Sequence, residues 1–87
     1  MMREYEIVLR PAAQRDLRKI TEPDHTRIIN ALKGLKEQAR PKGVRKLAGQ
    51  ENEWRLRVGD YRILYEIVDS EQTVRIFRIA HRREAYR

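Results

Sequence analysis

Apolar residues recur with two different periods along this 87-residue chain. Over residues 3–10 they alternate with polar ones, which predicts a β-strand. Over residues 11–20, and again over residues 21–39, they recur every three or four positions, which predicts two helices that each have one apolar face. Thr21 and Asp24 have the spacing of a capping box, so we expect the second helix to begin there. Because only a short break separates the helices, we expect an antiparallel helical hairpin.

The second half of the chain follows period two. Residues 44–53 are expected to form a loop or a short extended segment. Over residues 54–79 apolar and polar residues alternate, which predicts three strands with breaks at 59–60 and 69–70. The last strand, over residues 73–80, has apolar residues of both parities, which favours a central strand covered on both sides. The predicted order is β-α-α-β-β-β. The fold class is therefore α+β, with a helical hairpin packed on a mostly antiparallel four-stranded sheet.

The segment around Gly59-Asp60 predicts a tight β-hairpin. A two-residue turn, with glycine first as a type II′ turn prefers, places Arg57 opposite Arg62. Strand alternation then sorts the side chains onto two faces. The face expected to cover the core holds Trp54, Leu56, Val58, Tyr61, Ile63, Tyr65 and Ile67, and the opposite face holds Arg55, Arg57, Arg62, Leu64 and Glu66.

The pairing of Arg57 with Arg62 costs stability, because like charges that face each other across two strands repel. One interpretation is that both side chains extend into solvent, where Asp60 and Glu66 screen them. The other interpretation is that the sequence keeps the pair to bind an anion.

The C-terminal tail adds cations at the end of the last strand, which we expect to approach the basic face of the hairpin. Its chemically useful residues are Arg78, His81, Arg82, Arg83, Tyr86 and Arg87. Guanidinium groups, one imidazole and one phenol could together bind a phosphodiester, stabilise charge in a transition state and move a proton. The tail therefore favours the anion-binding interpretation of the arginine pair.

Composition narrows the class of protein and of partner. The chain carries 20 Lys and Arg against 13 Asp and Glu, a net charge of +7, which favours nucleic acid or an acidic protein as partner. It has no cysteine, which excludes disulfides and thiolate metal sites. No apolar run is long enough to span a membrane, so we expect one soluble intracellular domain over residues 1–87, with no membrane partner.

Three segments resemble the RelE/ParE toxin superfamily of bacterial and archaeal toxin–antitoxin systems. They are LRPAAQRDLRKI (9–20), WRLRVGDYRILYEI (54–67) and RIAHRREAYR (78–87). The resemblance, which is closer to RelE than to ParE, implies a cytoplasmic mRNA endonuclease that works in the ribosomal A site. It implies that the 2′-hydroxyl of the message attacks the adjacent phosphate, with no metal or cofactor. It also implies an acidic, RelB-like antitoxin as a partner.

The same resemblance implies roles for individual residues. Arg62 matches the arginine that contacts the scissile phosphate, Arg82 matches one that stabilises charge or protonates the leaving group, and Tyr86 matches a tyrosine that orients the substrate. Arg55 stands where a lysine is frequent. The expected catalytic set is Arg55, Arg62, His81, Arg82 and Tyr86, and the expected RNA-binding set is Arg45, Lys46, Arg57, Arg78 and Arg83.

The sequence leaves open which residue acts as the general base. Arg55 is a poor replacement for a lysine base, because a guanidinium group gives up its proton only above pH ~12. The candidates are Glu53, His81 and the more distant Lys46, and the alternative is that the reaction receives only weak help from a general base. Imidazole is attractive as an acid–base group, because it is the side chain that titrates nearest to neutral pH.

Two other functions are consistent with the sequence. One is a ParE-like inhibitor that binds DNA gyrase and has no nuclease chemistry. The other is a nucleic-acid-binding or antitoxin-binding module on the same scaffold, without activity. Arg62, Arg82 and Tyr86 favour the nuclease, because a gyrase inhibitor need not keep them.

Overall fold

The computed structural model describes residues 4–47 and 52–85 of the chain. Helices pack on one face of a five-stranded sheet, in which the strand order is β1-β5-β4-β3-β2. β1 runs parallel to β5, and the other neighbouring strands are antiparallel. The elements are β1 (Glu6–Leu9), α1 (Pro11–Lys19), α2 (Asp24–Glu37), β2 (Arg45–Lys46), β3 (Glu53–Val58), β4 (Tyr61–Val68), a 3₁₀ turn (Asp69–Glu71), β5 (Thr73–His81) and α3 (Arg82–Ala85).

The predicted α+β class, with two helices on a mostly antiparallel sheet, is confirmed. The sheet has one more strand than predicted, because Arg45 and Lys46 pair with Arg55 and Trp54 at the edge of β3. The short extended segment expected over residues 44–53 therefore takes part in the sheet. None of the described helices is long and apolar enough to cross a membrane.

The core lies between the helices and the sheet. α1 contributes Ala13, and α2 contributes Ile28, Leu32 and Leu35, which repeat every three or four residues along one face. The sheet contributes a matching set from β4 and β5, namely Ile63, Tyr65, Ile67, Val74, Ile76 and Ile79. Full burial of one such apolar side chain contributes roughly 1.5–3 kcal/mol. Of the described strands, only β4 and β5 contribute fully buried residues to this core.

Tyr65 is fully buried in the middle of the sheet. Its hydroxyl donates a hydrogen bond of 3.0 Å to the carbonyl oxygen of Ala39, just beyond the end of α2. Burial raises the pKa of the Tyr65 phenol to about 12, against a smaller opposing effect of the Arg40 guanidinium. The phenol therefore acts as a neutral donor that ties the chain after α2 to β4.

The start of α2 differs from the prediction in its capping. The helix begins at Asp24, and its N-cap residue, Pro23, provides no side-chain cap. Instead, the Glu22 carboxylate accepts hydrogen bonds from the backbone N–H of Thr26 at 2.8 Å and from its hydroxyl at 2.7 Å. These bonds lower the pKa of Glu22. The expected capping box of Thr21 with Asp24 is wrong, because α2 begins only at Asp24 and Thr21 lies two residues before the N-cap.

The β3–β4 hairpin has the predicted register. Gly59 has a φ of +60°, which glycine adopts without steric cost, and it stands first in the two-residue turn. The pairs run from Val58 with Tyr61 through Arg57 with Arg62, Leu56 with Ile63 and Arg55 with Leu64 to Trp54 with Tyr65. Because Ile63 and Tyr65 are buried, the helices cover the predicted face and the arginines lie on the other one.

A β-bulge explains the mixed parity of the last strand. In the β4–β5 ladder Tyr65 pairs with Ile76, and Leu64 pairs with Arg78, so Phe77 has no partner. One extra residue reverses the faces of all residues that follow it. The mixed parity therefore comes from the bulge. As a result, His81 pairs with Tyr61 on the helix side. β5 is central, as predicted, because it lies between β1 and β4, and it has buried residues on both faces: Val74 and Ile79 toward the helices, and Thr73 and Ala80 on the other face.

Asp69 links three separate parts of the chain. Its carboxylate accepts a hydrogen bond from the Tyr5 hydroxyl at 2.6 Å and forms an ion pair with Arg40 at 2.9 Å. The hydrogen bond from Arg40, followed by the one from Tyr5, lowers the pKa of Asp69. The same carboxylate raises the pKa of Tyr5. This cluster fastens β1 and the segment after α2 to the connection between β4 and β5.

Candidate functional site

Six of the arginines that the structure describes line a groove on the face of the sheet that points away from the helices. One part of the groove is a cavity of about 420 Å³, and an adjoining part has about 260 Å³; they share Arg57 and Arg62. We call the whole the arginine groove, and its described arginines are Arg45, Arg55, Arg57, Arg62, Arg82 and Arg83.

The sheet register places most of these arginines. Arg45 is the cross-strand partner of Arg55, and Arg57 is the cross-strand partner of Arg62. Directly opposed side chains in antiparallel strands have Cβ atoms roughly 4.5–5.5 Å apart. Two like-charge pairs therefore stand side by side on one surface, and an anion bound between them would relieve their repulsion.

The Gly59-Asp60 turn connects the hairpin to the C-terminal arginines. The carbonyl oxygen of Gly59 accepts a hydrogen bond of 3.2 Å from Nε of Arg57. The carbonyl oxygen of Asp60 accepts one of 2.7 Å from the backbone N–H of Arg82. A single tight turn thus holds Arg57 and the start of α3 at the same end of the groove.

The groove is electrostatically positive. No carboxylate is among the described residues that line its two cavities. The nearest described one is that of Asp60, whose Oδ1 lies 4.0 Å from Nη1 of Arg82, and both side chains are more than half exposed. Such an exposed pair is worth at most about 1 kcal/mol. The groove therefore keeps a strong attraction for a polyanion, and guanidinium groups suit phosphate because they donate in a planar fork.

His81, predicted beside Arg82 in the catalytic set, lies on the other face of the sheet. Its ring meets the ring of Tyr61 edge-on, with centroids 5.2 Å apart. Its Nδ1 accepts a hydrogen bond of 3.2 Å from the backbone N–H of Arg83. The imidazole lines a separate cavity of about 200 Å³ together with Asp16 and Lys19, among others. The bulge in β5 is the cause of this placement.

Two residues of the expected RNA-binding set also lie outside the groove. Arg78 donates to Asp16 of α1, with its Nε 2.7 Å from Oδ2. The same carboxylate accepts from the backbone N–H of Ile79 at 2.9 Å, so Asp16 fastens α1 to β5. Lys46 places its Nζ 5.9 Å from the centre of the Trp54 ring, on the helix side of the sheet. Tyr86 and Arg87 lie outside the described residues.

Glu53 is the carboxylate that the sequence offered as a base. It pairs with Glu66 across β3 and β4, and it lies two residues before Arg55 on the face that carries the arginines. Its side chain lines a cavity of about 320 Å³ with Arg10, Glu66 and Phe77. Oε1 of Glu66 forms an ion pair with Nη1 of Arg75 at 3.2 Å. Glu53 therefore lies on the arginine face of the sheet, in a cavity that shares no described lining residue with the arginine groove.

Sequence reasoning did not identify Asp16 or the two turn carbonyls as organisers of the site. Asp16 bonds to Arg78 and Ile79, which are 62 and 63 residues away in the chain. No local pattern signals a contact of that range. The role of the turn carbonyls could have been inferred from the sequence, because the predicted turn at Gly59-Asp60 fixes where Arg57 must lie.

Comparison with known proteins identifies the fold and a family. The family model described as the ParE toxin of type II toxin–antitoxin systems, parDE, matches residues 7–86. No curated protein matches the sequence significantly. Among solved structures, the toxin–antitoxin complex RelBE2 from Mycobacterium tuberculosis is similar, with 28% identity, a TM-score of 0.79, and coverage of 93% of this chain and 94% of that chain.

Two further structures share the fold at lower identity. The archaeal RelE–RelB complex from Pyrococcus horikoshii has a TM-score of 0.81 and 22% identity, and it covers 94% of this chain and 97% of that chain. The isolated RelE toxin of E. coli has a TM-score of 0.79 and 19% identity, with coverage of 94% and 95%. The arginine groove is thus carried by a scaffold that is known from toxins.

Proposed function

We infer the function of this chain from its family: it belongs to the ParE toxin family of type II toxin–antitoxin systems. We propose that it is a RelE-like toxin that cleaves messenger RNA in the A site of the ribosome. Its partners are then the ribosome, the message and an acidic, RelB-like antitoxin, and it acts in the cytoplasm. The positive groove supports an RNA substrate more directly than a protein one, because all but one of its described lining residues are arginines.

The observation that carries this proposal is the convergence of Arg57, Arg62 and Arg82 on one cavity of about 420 Å³. These residues come from β3, β4 and α3, so three separate elements contribute a fork of donors to one space. A phosphodiester carries one negative charge, and its charge increases when a fifth oxygen adds to phosphorus. Donors fixed in advance around that centre stabilise the transition state more than the ground state.

The proposed reaction needs no water and no other reactant. The 2′-oxygen of the nucleotide forms a bond to the adjacent phosphorus as its proton leaves, and the bond from phosphorus to the 5′-oxygen breaks. The 5′-oxygen takes up a proton, so the products are a 2′,3′-cyclic phosphate and a free 5′-hydroxyl. Arg62 binds the scissile phosphate in this scheme, and Arg82 stabilises the charge on the leaving side.

Glu53 is the best candidate to accept the proton of the 2′-hydroxyl. Of the three bases that the sequence offered, His81 and Lys46 lie on the helix side of the sheet. Glu53 lies on the arginine side, next to Arg55 along β3. Same-face neighbours in a strand are roughly 7 Å apart, which is within reach of a nucleotide that spans the groove.

The test is a cell-free translation reaction in which the 5′ ends of the message are mapped after the protein is added. We expect cuts inside A-site codons, and we expect Arg62→Ala and Arg82→Ala to slow cleavage by roughly 10²–10³, the usual cost of one lost charge-stabilising donor. Arg18→Ala is the matched control, because Arg18 is an exposed arginine at the end of α1. Cleavage that is unaffected by the groove variants would contradict the proposal.

A second candidate is a DNA gyrase inhibitor without nuclease activity. It is favoured by the name of the family whose model matches, which is that of ParE toxins. The same preparation, added to a supercoiling reaction with purified gyrase, separates the two. Intact message together with blocked supercoiling would establish the inhibitor in place of the nuclease.

A further inference from the structure

His81 stands at the junction of β5 and α3. It is the last residue of β5, and Arg82 is the first residue of α3. A side-chain acceptor in the position before a helix can bond to the free N–H of the second or third helical residue. The Nδ1 atom of His81 does so, because it accepts from the backbone N–H of Arg83, the second residue of α3, at 3.2 Å.

The imidazole is held in the orientation that this bond requires. His81 is the cross-strand partner of Tyr61, and the two rings meet at an interplanar angle of 87°. Both residues are partly buried. An Nδ1 atom that accepts a hydrogen bond carries no proton, so the neutral ring has its proton on Nε2. The ring is therefore a fixed acceptor at the end of the sheet.

The capped N–H groups belong to the residues that line the groove. The backbone N–H of Arg82 donates to the carbonyl oxygen of Asp60 at 2.7 Å, and that of Arg83 donates to His81. The side chains of Arg82 and Arg83 both line the 420 Å³ cavity on the opposite face of the sheet. The turn and the imidazole thus fix the backbone from which two groove arginines project.

We propose that His81 is a positioning residue that caps α3 through Nδ1 and thereby sets Arg82 and Arg83 in the arginine groove. This inference rests on the proposed nuclease function for its activity readout, and it assigns His81 no proton transfer. What the site requires from His81 is an acceptor at the position of Nδ1. A small displacement of a charge-stabilising group is costly, since a misplacement of about 1 Å can reduce a rate by roughly 10²-fold.

Two amide substitutions separate capping from acid–base chemistry. In His81→Asn the side-chain oxygen can take the place of Nδ1, and asparagine is among the best N-cap residues. In His81→Gln the oxygen reaches the place of Nε2 instead. We expect His81→Asn to keep message cleavage near the wild-type rate, and we expect His81→Gln and His81→Ala to lose roughly 5- to 30-fold, the factor that corresponds to a lost cap.

NMR spectroscopy of the free protein gives a readout that does not depend on activity. We expect the Nε2–H tautomer for His81 in the wild type, and an Arg83 amide proton shift that His81→Asn preserves and His81→Ala loses. Thermal melting of each variant identifies any that has failed to fold. If the wild type cuts no message, the proposed nuclease function fails, and the NMR measurement still decides whether the cap exists.

Several results would overturn the proposal. An Nδ1–H tautomer in the wild type would show that the cap is absent. Equal activity of all three variants would show that the cap does not serve the site. Loss of activity in His81→Asn as large as in His81→Ala, with the Arg83 amide shift preserved, would show that the imidazole itself is needed, as an acid–base role requires.

Discussion

Arg57 of β3 and Arg62 of β4 are direct cross-strand partners on the face of the sheet that the helices leave uncovered. Both also line the same cavity with Arg82 and Arg83. Opposed like charges cost roughly 0.2–1 kcal/mol of stability relative to a neutral pair. The relationship predicts a trade-off between the stability of the fold and the binding of an anion.

Replacing Arg57 by Thr is expected to leave the free energy of unfolding unchanged or to raise it by up to about 0.5 kcal/mol, because the repulsion from Arg62 disappears and threonine suits a strand. Urea denaturation measures this effect, and added salt should reduce the gain. Arg75→Thr is the control. It should lower the free energy of unfolding, because it removes the ion pairs of Arg75 with Glu66 and Glu71. A clear loss of stability in Arg57→Thr would contradict the prediction.

Each groove arginine that touches a phosphate should contribute to the salt dependence of RNA binding. We expect affinity for an uncleavable 2′-O-methyl oligonucleotide to fall with salt, and Arg57→Ala to reduce the logarithmic slope by roughly 0.7, the value for one phosphate contact on a single strand. Arg18→Ala should leave the slope unchanged. Fluorescence anisotropy over a salt series makes the measurement, and equal slopes in all three proteins would exclude a phosphate contact at Arg57.

Glu53→Gln should slow message cleavage by roughly 10²–10⁴, the usual contribution of a general base, with little effect on RNA affinity. Single-turnover cleavage on programmed ribosomes measures the chemical step separately from binding. Glu66→Gln is the matched control, because Glu66 faces Glu53 across the hairpin but is engaged by Arg75. Equal losses in both variants would point to the charge of the pair and not to proton transfer by Glu53.

Tyr65→Phe should lower the free energy of unfolding by about 1–3 kcal/mol, because it leaves the buried carbonyl oxygen of Ala39 without its donor. The phenol has a pKa of about 12 in the fold. Since this value is raised above that of the unfolded chain, Tyr65 contributes stability that is complete below pH ~10 and is lost as the pH rises through about 12.

Tyr5→Phe is the comparison variant for the free energy of unfolding, because the Tyr5 hydroxyl bonds to Asp69 in an exposed cluster and not in the core. Its cost should be smaller than that of Tyr65→Phe. An ultraviolet titration in which Tyr65 ionises near pH 10 in the folded protein would contradict the assignment.

Asp69→Asn should destabilise the fold at neutral pH by no more than about 1 kcal/mol, because the ion pair with Arg40 is exposed to solvent. The pKa of Asp69 is lowered by the hydrogen bond from Arg40 and then by that from Tyr5. A lowered pKa means that the stabilisation is present above the carboxyl pKa of the unfolded chain and is lost as the pH falls through the folded value.

A double-mutant cycle of Asp69→Asn with Arg40→Gln isolates this interaction. The coupling energy should be present at pH 7 and should vanish at the acid end of the range where the fold survives. A coupling energy that does not change with pH would show that the Asp69 carboxylate is not its source.

The hairpin could be predicted residue by residue because its determinants are local. A two-residue turn at Gly59-Asp60 fixes the register, and the period of two then assigns each side chain to a face. That is why the positions of Arg55, Arg57 and Arg62 followed from the sequence. The apolar faces of α1 and α2 followed in the same way from the helical period.

The sequence by itself therefore determined the two faces of the hairpin, the helical layer and the strong positive charge of the chain, because each depends on neighbours in the chain or on composition alone. The tertiary structure decided which cations share the groove. The bulge at Phe77 turned His81 toward Tyr61, and Asp16 captured Arg78 from 62 residues away. Both depend on how two distant segments pack, and a register shift of one residue moves a side chain to the opposite side of a sheet.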